Sequence, residues 1–137
     1  MSHFTQLRTR LMDQAALLLA LNDLGFSSEK VLVPEQAKPL YGYRGDRREQ
    51  TAEIIIRRKH ISDSSNDIGF KRQPDGSFSA IISEYDADDL GYNQAWLNKL
   101  QQRYTYHATI QHLATQGFSL IQTEDANGEL TLTLMRS

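Results

Sequence analysis

Gln102-Arg-Tyr-Thr-Tyr-His107 packs a cation, two phenols and an imidazole into six residues, and no other stretch of this chain is so well equipped for chemistry or recognition. Arg103 can grip an anion, Tyr104 and Tyr106 can stack or donate a hydrogen bond, and His107 can act as a general base. As a base, His107 needs a nucleophile or an orienting carboxylate within hydrogen-bond reach. On a helix its neighbours three and four residues away are Arg103, Tyr104, Ile110 and Gln111, none of them an acid. Arg103 beside it favours the neutral ring through like charge. The structural reading of the same residue is a half-buried histidine whose donor is satisfied inside the fold. A two-histidine metal site is excluded on this helix. His107 and His112 are five residues apart, so they face about 140° away from each other, and the i, i+4 arrangement is missing.

The motif lies in a segment with helical spacing, residues 93–116. Leu97, Leu100, Tyr104 and Ala108 share one stripe, whereas Tyr106, Ile110 and Leu113 fall roughly 160° from Tyr104. The apolar side therefore swings around the axis near Arg103. Either the helix breaks there, or it is covered on one side by a sheet and on the other by something else, with one tyrosine turned toward a partner or ligand.

A second group of candidates is basic. Arg44, Arg47, Arg48, Arg57, Arg58 and Lys59 place six cations within sixteen residues, just after Tyr41 and Tyr43. Arginines with nearby phenols can hold phosphates and stack on bases, which would suit single-stranded nucleic acid; a solvated strand end and loop is the structural alternative. The acidic group Glu84, Asp86, Asp88 and Asp89 lacks the glycine and the closing glutamate of a calcium loop. Phosphate-cradling glycine loops and nucleophile elbows are missing from the sequence. No metal or cofactor is expected.

The 137 residues carry 39% hydrophobic and 23% charged side chains, so a single packed domain over 1–137 is expected. The net charge of -2 gives no global pull toward nucleic acid or anionic lipid, and the absence of cysteine excludes disulfides and thiol catalysis. With no apolar leader and no apolar run long enough to span a bilayer, a soluble, cytoplasmic protein without membrane insertion is expected.

Strands are predicted at His3–Arg10, Lys30–Val33, Ala52–Arg58, Ile68–Arg72, Ser77–Ser83, Phe118–Thr123 and Glu129–Met135. Tyr41–Gly45 reads as a turn or irregular edge strand, and Asp63–Asp67 as a loop. Asp13 caps a helix running to Leu24 and stopped by Gly25. Gln73-Pro-Asp-Gly76 and Asp125-Ala-Asn-Gly128 are hairpin turns. The fold class is α+β, a mainly antiparallel sheet of about five to seven strands packed by two helices near 13–24 and 93–116.

Ser2-His-Phe-Thr5, the Asp13 to Phe26 helix, Gly42-Tyr-Arg-Gly45, Asp67-Ile-Gly-Phe70, Gln102–His107 and Gln116-Gly-Phe118 together resemble a small family of uncharacterised conserved proteins of cyanobacteria and red-algal plastid genomes. The likeness runs over nearly the whole chain, and the arginine-tyrosine-x-tyrosine-histidine piece is its most specific part. The family usually has alanine where this chain has Thr105. No cofactor or catalytic residue is carried over. In some bacteria members are encoded near an AAA-type ATPase, so the resemblance implies an accessory role with that class of partner. Three functions are carried forward. The first is a non-enzymatic accessory protein that binds another protein, with homodimer formation open. The second is an enzyme or anionic-ligand site at Arg103, Tyr104, Tyr106 and His107, aided by Arg44 or Arg57. The third is single-strand binding through Tyr41, Tyr43 and the arginines.

Overall fold

The computed structural model describes residues 3–127 and 129–136, so Ser2 of the resemblance and Gly128 of the second predicted turn lie outside the described residues. The strands are β1 (Phe4–Leu11), β2 (Val31–Leu32), β3 (Lys38–Tyr41), β4 (Arg47–Ala52), β5 (Ile54–Ile56), β6 (Ile68–Arg72), β7 (Phe78–Ser83), β8 (Phe118–Ala126) and β9 (Glu129–Arg136). The helices are α1 (Gln14–Asp23), α2 (Glu84–Leu90) and α3 (Gln94–Ala114). The class is α+β. An antiparallel five-stranded sheet runs in the order β1-β7-β6-β5-β2, and β3–β4 and β8–β9 form two separate hairpins.

The middle of the sheet, β5, β6 and β7, is buried on both faces, which is why Ile54-Ile-Ile56 and Ala80-Ile-Ile82 read as unbroken apolar runs. Ile54, Ile56, Ile68, Phe70, Phe78 and Ile82 face Leu17 and Leu21 of α1 and Leu97, Leu100 and Tyr104 of α3. Ile55 and Ile81 face the other way and meet Leu40 and Ala52 of the β3–β4 hairpin. Each such side chain contributes about 1.5–3 kcal/mol when fully withdrawn from water. Gly69 lies between them for a reason of space: a Cβ there would sit 2.8 Å from the Ala52 Cβ and 3.0 Å from Leu40 Cδ2.

Several stretches differ from the sequence expectation: Lys38–Tyr41 is strand β3 ahead of the turn read at Tyr41–Gly45, and the strand expected over Ala52–Arg58 is divided between the end of β4 and the short β5, with Arg58 already in a 3-10 turn. The run Arg47–Ala52, read as solvated charge, is strand β4, because its alternate side chains turn toward the sheet beneath. The acidic group, given no element of its own in the sequence, is helix α2, whose start is capped by the Ser83 hydroxyl accepting from Asp86 N at 3.1 Å. Its first-turn acids, Glu84 and Asp86, also suit the positive end of a helix.

The N-cap of α1 is Asp13, which accepts from Ala16 N at 3.1 Å. At the other end Phe26 N donates to Leu21 O and Gly25 N to Asn22 O, with Gly25 at φ +99. That pairing closes the helix and drives Phe26 into the core beside Leu21.

The helix α3 does not break near Arg103. Its first stripe packs on the main core and its second stripe, Tyr106, Ile110 and Leu113, is half-buried. The register Leu120↔Leu134 and Thr123↔Leu132 puts those four residues on one face of the β8–β9 hairpin. That face lies toward α3, since the Tyr106 hydroxyl is 3.2 Å from Thr123 Oγ1. The other covering layer of α3 is thus the chain's own C-terminal hairpin, and this flank is not an open docking surface.

Candidate functional site

The motif on α3 clamps α1 at both ends. The Tyr104 hydroxyl accepts hydrogen bonds from Met12 N at 3.0 Å and Asp13 N at 2.8 Å, and so serves backbone donors at the entrance to α1. At the far end Arg103 Nε and His107 Nε2 each lie 2.7 Å from Asp23 Oδ2. A carboxylate accepts only, so both nitrogens donate to it. The Tyr106 ring sits under the Arg103 guanidinium at 4.5 Å and edge-on to the imidazole. Thr105, between the two tyrosines, points outward.

Asp23 is the orienting carboxylate that helical neighbours could not supply, and it comes from a segment 84 residues from His107. Spacing within the motif could not reveal it. The signal available was chemical. An aspartate in the last turn of a helix opposes the negative end of the dipole and calls for a cation nearby. Burial raises the Asp23 pKa, but the hydrogen bonds from Arg103 and His107 and their charges outweigh it, and the net shift is below 3.8.

Because the folded-state pKa is the lower one, this contribution to stability is present above 3.8 and is lost as pH falls through the folded value. Asp23→Asn should therefore cost about 1 kcal/mol at about pH 6. The gap between the two proteins should close as the acid range is entered, when Asp23 is protonated in the parent too. Urea denaturation across that range measures it, and a gap that persists below the folded pKa refutes this role. Asp86 has the opposite sign. Burial first of all, with a small push from Asp67, raises its pKa against the hydrogen bonds from Asn66 and Ser83. Its effect is a loss of stability as pH rises from 3.8 toward the folded value.

The candidates Tyr41, Tyr43, Arg44 and Arg57 lie on the other face of the sheet and do not join this cluster. Asp67, fully buried, accepts from Tyr41 N at 2.8 Å, Arg57 Nη1 at 2.7 Å and Arg58 N at 2.7 Å. Asn66 Oδ1 accepts from Tyr43 N, and its amide group donates to Ser83 Oγ. Thus Gly42-Tyr-Arg-Gly45 hangs on Asn66 and Asp67, and two pieces that looked independent in the sequence are one network. The guanidinium of Arg57 also stacks on Tyr41, and that of Arg44 on Tyr43, each at 5.3 Å from the ring centre. The ring faces a nucleobase would need are therefore partly covered by the chain's own arginines. Among the described residues, no three metal-ligating side chains converge.

A different feature escaped sequence reading. Between α1 and β2 runs a cleft of about 520 Å³, lined mainly by Ala15, Leu18, Leu19, Phe26, Val31 and Val33. Ala15, Leu18 and Leu19 form an i, i+3, i+4 row on the side of α1 next to its core stripe. Leu19 is 42% and Val33 40% exposed, with Leu32 at 37% just across the strand. This concentration of exposed aliphatic side chains beside a sheet edge has the character of a contact surface. Among the described residues no helix is long and apolar enough to cross a membrane.

Three relatives called uncharacterized protein ycf35 are similar to this chain over 99% of its length and 98% of theirs. They are 30% identical in Cyanophora paradoxa, 28% in Pyropia yezoensis and 31% in Guillardia theta. No solved structure matches it. A family model described as a protein of unknown function, DUF1257, matches residues 20–133, which takes in the far end of α1, the whole sheet except β1, and the Arg103–His107 clamp. With that match and the full-length relatives, the chain belongs to the DUF1257 family.

Proposed function

We propose that this chain is a non-enzymatic accessory protein that binds another protein, and that the partner docks in the apolar cleft between α1 and β2. The observation that carries this reading is the cleft itself, with Leu19, Val33 and Leu32 exposed around an edge strand. The AAA-type ATPase implied by the family resemblance is the first partner to test. Tagged chain expressed in its native host should retain a partner as the parent and as Lys99→Glu, which alters exposed α3 surface, and should lose it as Leu19→Glu. Because Leu19 is already exposed, the substitution should leave the fold intact, which circular dichroism verifies. The reading fails if Leu19→Glu retains the same proteins as the parent, or if the parent retains none. Light scattering reads whether the partner is instead a second copy.

One observation favours a catalytic or anion-binding site at Arg103, Tyr104, Tyr106 and His107, namely the Asp23 carboxylate against the imidazole. Yet the polar groups of that cluster bond to one another, to Thr123 or to the α1 backbone. The clamp accounts for every member, and the docking reading is the better supported.

A further inference from the structure

The edge of the five-stranded sheet formed by β2 carries different chemistry on its two sides. Val31 pairs with Ile56 and so faces the helices, where the apolar cleft lies. Leu32 pairs with Ile55 and faces away from the helices. Beside it is a smaller cleft of about 190 Å³, lined by Leu32, Arg57, Lys59 and His60, with Lys30 and Val31 at its border with the apolar cleft and Glu29 as its one acid. Arg57 is held by Asp67 and the Lys30 ammonium reaches back to Gly25 O at 3.5 Å, so Lys59 and His60 are the cations that face this space. Lys30 and Pro34 bracket the edge, which confines strand pairing to about three residues and protects it from indiscriminate association.

An extended segment laid against an edge strand sends successive side chains to opposite faces of the sheet. Resting on the protein-binding reading above, we propose that β2 takes up an extended segment of the partner in which apolar residues alternate with acidic ones. The apolar side chains enter the cleft under Leu18 and Leu19. The acidic side chains meet Lys59 and His60 on the opposite side, while main-chain hydrogen bonds to the β2 edge fix the register. Pairing is antiparallel, as in the rest of the sheet. Neither a helix nor a purely apolar chain would satisfy both clefts, because only a period of two separates the two chemistries across the edge.

The probe is the capped hexapeptide Val-Glu-Val-Glu-Val-Glu, titrated into the full ¹⁵N-labelled chain. Controls are Val-Val-Val-Glu-Glu-Glu, of the same composition, and Val-Lys-Val-Lys-Val-Lys. The alternating acidic peptide should bind at least about tenfold more tightly than either control, since each control forfeits a buried side chain or a charge pair. Amide shifts should centre on Val31, Leu32 and Val33, binding should weaken with salt, and both Lys59→Glu and Leu19→Glu should reduce it several-fold. Equal binding of the block peptide, or shifts that spare β2, would overturn the proposal. If the native partner is lost on Leu19→Glu while the alternating peptide fails to bind, the extended-segment inference falls and the docking reading stands. If neither the partner nor the peptide depends on Leu19, both fall.

Discussion

Asp67→Ala should destabilise the protein by about 3–5 kcal/mol, the loss expected when one partner of a buried ion pair is removed. The carboxylate is fully buried and accepts from the Arg57 guanidinium and from the backbone of Tyr41 and Arg58. Its removal leaves a half-buried cation and two backbone donors without their acceptor. Against a total stability of about 5–15 kcal/mol this is a large fraction. Asp67→Asn keeps one acceptor and should cost less. Urea or guanidinium denaturation of the two variants measures both. A loss under about 1 kcal/mol for alanine would show that water replaces the carboxylate and that Asn66 and Asp67 do not hold the Tyr41–Gly45 turn.

Tyr104→Ala should cost a similar amount, about 3–5 kcal/mol, for a deleted aromatic ring in the core. The informative companion is Tyr104→Phe, which keeps the ring between α1 and α3 and removes only the hydroxyl. That hydroxyl serves two backbone donors, Met12 N and Asp13 N, so its loss should cost about 1–3 kcal/mol. The damage should be local, with faster amide exchange at the start of α1 before any change in β6 or β7. A neutral Tyr104→Phe would remove the hydroxyl from the clamp and return Tyr104 to the list of ligand-binding candidates.

Much of the fold was legible along the chain because its signals are local. Asp13 as a cap, Gly25 as a stop, the Pro-Asp-Gly turn and the period of the α3 stripes each depend on residues within a few positions. The elements missed were those whose local chemistry is ambiguous. Strand β4 reads as a solvated strand end and loop until the sheet beneath it is known, β3 is hidden by Pro39 within it, and α2 reads as an acidic patch until Ser83 is seen capping it. The rotation of the apolar stripe in α3 was visible in the sequence. What covered the second side was not, because the β8–β9 hairpin is brought there by the chain's return and not by any pattern within α3.

The sequence alone determined the class of the fold, the positions of most strands and both longer helices, and which side chains crowd into Arg103–His107. Only the tertiary structure decided what those side chains touch. Asp23 lies 80 residues from Arg103, and it ties Arg103 and His107 to the end of α1. The cleft beside β2 was likewise beyond sequence reading. Spacing along one chain specifies which face of an element is apolar, but whether that face is buried or left open depends on which distant element arrives to cover it.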